Sequence, residues 1–107
     1  SLPFKVKETL YRVVQEAIHN SVKHAHAKKI TVRLYENTTG SFLDVIDDGV
    51  GFNPDQSFPH HLGLRSMHER LALLGGTLEI ISAPGMGTRI HAIIPAVVQK
   101  LVANEQA

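Results

Sequence analysis

From Lys5 to about Ala25 apolar residues return every three or four positions, at Val6, Leu10, Val13, Val14, Ala17, Ile18 and Val22, the spacing of a long amphipathic helix. Leu10, Val14, Ala17 and Ser21 centre its apolar stripe, and Arg12, Glu16, Asn20 and Lys23 run along one flank as a polar row. The chain then changes period. "KITVRLYE" sets Ile30, Val32 and Leu34 against Thr31, Arg33 and Tyr35, and "SFLDVID" follows the turn Asn37-Thr38-Thr39-Gly40, which predicts two strands joined as a hairpin. Asn53 to Leu62 carries two prolines and no period, the mark of a loop. Leu64, Met67, Leu71 and Leu74 restore helical spacing up to a stop at Gly75-Gly76. "TLEIIS" and "TRIHAII" around Ala83-Pro84-Gly85-Met86-Gly87 predict a second hairpin with a long turn. The order helix, strand, strand, loop, helix, strand, strand predicts an α+β fold: two layers, with helices on one face of a largely antiparallel sheet.

At 107 residues and 43% hydrophobic content the chain suits one domain, read here as residues 1–95 followed by a tail at 96–107. Eleven Lys and Arg against ten Asp and Glu leave a formal charge of +1, without the basic excess of a surface built for nucleic acid. No cysteine is available for a disulfide framework or thiolate metal site. No apolar run approaches the ~18 residues of a membrane span, and "SLPFKVKETL" lacks the apolar stretch of a signal peptide. The expectation is a cytoplasmic domain with no nucleic-acid and no membrane contact of its own.

The polar row on the first helix has two readings. A solvated flank needs only polar residues. Yet Asn20 is a poor helix former placed in mid-helix, its amide oxygen suits Mg²⁺, and Lys23 one turn on would face a phosphate. "VIDDGVGF" is equally double. Asp-Gly makes an ordinary turn, but Leu43, Val45 and Asp47 share one face of their strand, so Asp47 points where its neighbours are buried and needs a donor. An adenine amine would serve, with Gly49 and Gly51 allowing close approach. Gly63 opens the second helix, where free N–H groups favour an anion. Gly85-Met86-Gly87-Thr88 reads as hairpin chemistry when taken alone. The seven histidines show no metal-ligand spacing, and neither a nucleophile elbow nor a GxxxxGK[ST] loop is present.

Together, Glu16-x-x-x-Asn20-x-x-Lys23-His24-Ala25, Asp47-x-Gly49-x-Gly51-Phe52, Gly63-Leu64-x-x-Met67-x-Glu69-Arg70 and Gly85-x-Gly87-Thr88 resemble the ATP-binding domain shared by gyrase, Hsp90, sensor histidine kinases and MutL. "YRVVQEAIHNSVKHA" and "MHERLALLGGTLEI" are similar to strings in two-component sensor kinases of the nitrate-sensor type. The resemblance implies a sandwich with a mixed, mostly antiparallel sheet and a lid over about Asn53 to Gly63. It also implies ATP and Mg²⁺ as ligands, with Asn20 on the metal and Asp47 on the adenine amine. Lys23 and His24 would lie near the phosphates, Gly49, Gly51 and Thr88 at the base, Gly63 and Leu64 at the lid, and Glu16 in catalysis. The γ-phosphate would pass to a histidine on a separate dimerisation and phosphoacceptor domain, and then to a response regulator. The chain would be a monomeric catalytic part of a longer, homodimeric parent that is open to membrane anchoring. Two departures stand out: His61 in "PHHLGL" occupies a position often held by glycine, and no histidine lies in a phosphoacceptor setting. The rival readings are a nucleotide-binding regulatory module without transfer, and a serine kinase of the anti-sigma-factor kind.

Overall fold

The computed structural model describes residues 2–55 and 63–96. Six elements follow in chain order: α1 (Phe4–Lys23), β1 (Ile30–Asn37), β2 (Gly40–Asp47), α2 (Leu64–Ala72), β3 (Thr77–Ser82) and β4 (Thr88–Pro95). The strands form one sheet in the order β1-β2-β4-β3, and every pairing among the described residues is antiparallel, where the resemblance implies a mixed, mostly antiparallel sheet. Most of the predicted lid, with His61, lies outside the described residues.

Strand alternation sorts the sheet into two faces. Leu43 and Val45 of β2 and Ile90, Ala92 and Ile94 of β4 are buried on the helix side, against Val6, Leu10, Val13 and Ala17 of α1 and Met67 and Leu71 of α2. The buried stripe of α1 therefore runs through Val13, with the expected stripe member Val14 only half-buried, and Val22, one of the recurring apolar positions, is 61% exposed. β1 is an edge strand only partly covered by α1, which leaves Val32 and Leu34 43% and 58% exposed.

Side chains and glycines fix the turns. Asn37 Oδ1 accepts from the Thr39 amide at 2.8 Å and from the Thr39 hydroxyl at 2.6 Å, closing the first hairpin. At the end of α2 the Gly75 amide donates to Ala72 O at 3.0 Å and the Gly76 amide to Leu71 O at 2.8 Å, with Gly75 left-handed at φ 67°. This is a Schellman stop, and it turns the chain directly into β3.

Candidate functional site

The register brings Asp47, the last residue of β2, opposite Thr88, the first of β4, and α1 passes above them. Between helix and sheet opens a cavity of about 330 Å³. Its walls are largely apolar, formed by Ala17, Val45, Phe52, Leu64 and Ile90, and Asp47 is the one carboxylate among its described lining residues.

The Asp47 carboxylate is held from three directions. The amides of Gly49 and Thr88 donate to Oδ1 at 2.9 and 3.2 Å, and the Ser21 hydroxyl lies 2.7 Å from Oδ2. That hydroxyl is also 3.0 Å from Ala17 O; it has one proton, and the shorter contact to a charged acceptor is the stronger claim on it. A carboxylate has about four acceptor directions. Three are filled from inside the protein, so a group entering the cavity meets the remaining acceptor.

Thr88 is oriented by a residue the sequence did not single out. Ser82 Oγ accepts from the Phe52 amide at 2.9 Å, donates to Gly87 O at 2.8 Å and lies 2.9 Å from Thr88 Oγ1. With the Ser82 proton on Gly87, Thr88 must donate in that last contact, which leaves its oxygen as an acceptor toward the cavity. Ser21 was visible in sequence only as a serine in the centre of an apolar stripe. Ser82 gave no signal beyond standing at a strand end.

Asn20 and His24 share the α1 wall; Asn20 Oδ1 is buried there, and His24 is exposed at the rim, its ring edge-on to His19 at 6.0 Å. Gly51, Leu64 and Thr88 line the cavity as well. Lys23 is exposed and Gly49 lies behind the wall; neither is among the lining residues. A Cβ on Gly49 would sit 2.5 Å from Ala25 O and 2.6 Å from Ala25 Cβ, so this glycine admits the loop after α1. Asp48 pins the same loop: its Oδ1 accepts from the amides of Lys28 and Lys29 at 2.9 and 3.0 Å, and these bonds, Lys29 first, hold its carboxyl below the usual value.

Glu16 faces away from the cavity. Its carboxylate packs on Gly63, where any Cβ would collide with Glu16 Oε1, and Gly63, left-handed at φ 67°, caps α2. Among the described residues, no group of three or more His, Asp or Glu side chains is arranged to hold a metal, and no helix is long and apolar enough to cross a membrane.

The comparisons with known proteins agree on the family. The model for "Histidine kinase-, DNA gyrase B-, and HSP90-like ATPase" matches residues 5–98. Sensor protein VraS of Staphylococcus epidermidis is 38% identical over 94 residues, which cover 88% of this chain and 27% of that protein; VraS of Staphylococcus aureus is 37% identical over the same length. The chain thus spans about a quarter of the length of these relatives. The histidine kinase domain of the Erythrobacter litoralis blue-light activated histidine kinase superposes with a TM-score of 0.69 at 27% identity, covering 84% of this chain and 47% of that one. The ATP-binding domain of PrrB from Mycobacterium tuberculosis gives 0.69 at 26% identity, covering 82% and 67%. This chain belongs to the family of histidine kinase-, DNA gyrase B- and HSP90-like ATPases.

Proposed function

We propose that the chain is the catalytic domain of a sensor histidine kinase of the two-component type, binding Mg²⁺·ATP and presenting the γ-phosphate to a histidine on a separate dimerisation and phosphoacceptor domain. The observation that carries the reading is the Asp47 carboxylate, fixed by three internal donors at the end of an apolar slot with one acceptor direction left over. An adenine ring fits the apolar walls, and its amine supplies the missing donor; a 6-oxo purine would set oxygen against oxygen. The triphosphate then runs along α1 toward Asn20 and His24 and the start of α2.

Magnesium would be held by Asn20 Oδ1 together with phosphate oxygens and water. A site with few protein ligands suits this hard cation, which keeps much of its water and shares phosphates. When bound it neutralises charge on the phosphates. Glu16, one turn from Asn20, is assigned to catalysis, and Gly63 and Leu64 to the base of the lid. Lys23 would reach the phosphates from the exposed side of α1, and Gly51 and Thr88 would frame the base, with Gly49 supporting them from behind the wall by admitting Ala25. In the parent, a homodimer with this domain on the cytoplasmic side, a response regulator would receive the phosphate. The nitrate-sensor subtype rests on the two sequence strings alone.

The test is Asp47→Asn. The amide can keep Oδ1 toward Gly49 and Thr88 and turn its NH₂ to Ser21 Oγ, whose proton then moves to Ala17 O, so the fold survives. Affinity for a fluorescent ATP analogue should fall at least about tenfold, the worth of one charge-assisted hydrogen bond, and preference for ATP over ITP should shrink. Unchanged affinity and selectivity in a folded variant would remove Asp47 from base recognition.

A further inference from the structure

Across the contact between Glu16 and Gly63 lies a second concavity, of about 340 Å³, between the two helices. Arg12, Gln15 and His19 reach it from α1, at spacings of three and four that share one side of the helix, Ser66 and Arg70 reach it from α2, four apart, and Glu16 itself lines it beside Gly63. A solvated helix flank would also be polar, but three features here go further. Arg12 and Arg70 line one hollow from separate helices, and two cationic side chains at one hollow favour an anion between them. Neither has a carboxylate within ion-pair distance among the described residues: Glu69 is engaged by Arg65 at 3.0 Å, and Glu16 packs on Gly63 at the positive end of α2. Finally, no lysine or arginine appears among the described lining residues of the nucleotide cavity, whereas two arginines line this one.

We propose that this cleft is an oxyanion site for a phosphate group, clasped by Arg12 and Arg70 with Gln15, Ser66 and His19 as further donors. The phosphate has two possible sources, the terminal phosphate of a nucleotide in the neighbouring cavity or a free phosphate. The first source rests on the nucleotide reading above; the second stands without it.

The experiment is an NMR titration of the chain with inorganic phosphate, paired with ADP and AMPPNP affinities, on wild type, the Arg12→Gln/Arg70→Gln double variant and Asp47→Asn. Both arginines are exposed, so the double variant should keep its melting temperature. In wild type, phosphate should give saturable, salt-sensitive shifts at Gln15, His19 and Ser66 that vanish in the double variant. If the nucleotide supplies the phosphate, AMPPNP should bind about tenfold tighter than ADP in wild type and lose that advantage in the double variant. If a free phosphate is the ligand, its shifts should persist with AMPPNP bound, and the ADP to AMPPNP ratio should not respond to the double variant. Phosphate shifts retained in Asp47→Asn, where nucleotide affinity falls, keep this site distinct from the fate of the nucleotide reading. The proposal is overturned if phosphate gives no saturable shifts at the cleft and the double variant leaves the ADP to AMPPNP ratio as in wild type.

Discussion

Asp47 and Asp48 show how far neighbours can diverge. Asp47 ends the strand on its inner face and lines the cavity, whereas Asp48 turns outward and ties down the amides of Lys28 and Lys29. The inward aim of Asp47 was legible from its alternation with Leu43 and Val45. The service of Asp48 was not, because its partners lie on a loop brought close only by the fold. Gly49 divides the same way: sequence reading assigned it to the base, and the space its Cβ would need is filled by Ala25. Gly49→Ala should therefore cost about 1–3 kcal/mol of stability through overpacking against backbone. Nucleotide affinity measured well below the melting temperature should stay within a few-fold, because residue 49 is behind the cavity wall. Urea unfolding and nucleotide titration of one variant check both halves; a large loss of affinity with unchanged stability would return Gly49 to the binding surface.

At the level of elements, the helices and strands were readable because each carries its own period, and Gly75-Gly76 marks the end of α2 in the sequence itself. Coverage was less readable. Val32 and Leu34 alternate like core residues, but a sequence does not say that β1 is the edge strand lying largely beyond the cover of α1. The Schellman stop is the joint that aims β3 beside β4, and its left-handed residue is Gly75 at φ 67°. Alanine at 75 keeps the hydrogen bonds but carries a Cβ into that conformation, at a cost of about 1–2 kcal/mol. For a domain of this size that lowers the melting temperature by about 4–8 °C per kcal/mol. Calorimetry of Gly75→Ala would show it; an unshifted melt would mean that α2 can end without the left-handed residue.

For the whole molecule, the sheet separates two kinds of burial. The helix side holds the apolar core, while the opposite side holds a buried carboxylate: Asp44, 3% exposed, receives Arg89 Nη2 at 2.9 Å and faces His91 Nδ1 at 2.7 Å. The register continues this row as Arg33, Asp44, His91 and Glu79 across all four strands, alternating groups of opposite charge tendency. Burial alone would raise the Asp44 carboxyl, but hydrogen bonds and charge from His91 and Arg89 outweigh it and hold the group below its usual value. A carboxyl lowered in the folded state stabilises the fold fully above the unfolded value of about 3.9 and loses that contribution as pH falls through the folded value. Asp48 adds a contribution of the same sign from a fully exposed position. Asp44→Asn should cost about 1–2 kcal/mol at pH 7, a modest figure because the Arg89 side chain is 42% exposed. As pH falls below the unfolded value of about 3.9 the wild-type advantage declines, and it is gone once pH has passed through the lower folded value, so the two stability curves should draw together in acid. Melting temperatures of both proteins from pH 7 to pH 3 test this. A gap that stays constant over the range would locate the cost of the substitution in packing, and the charge of Asp44 would then carry none of the acid sensitivity.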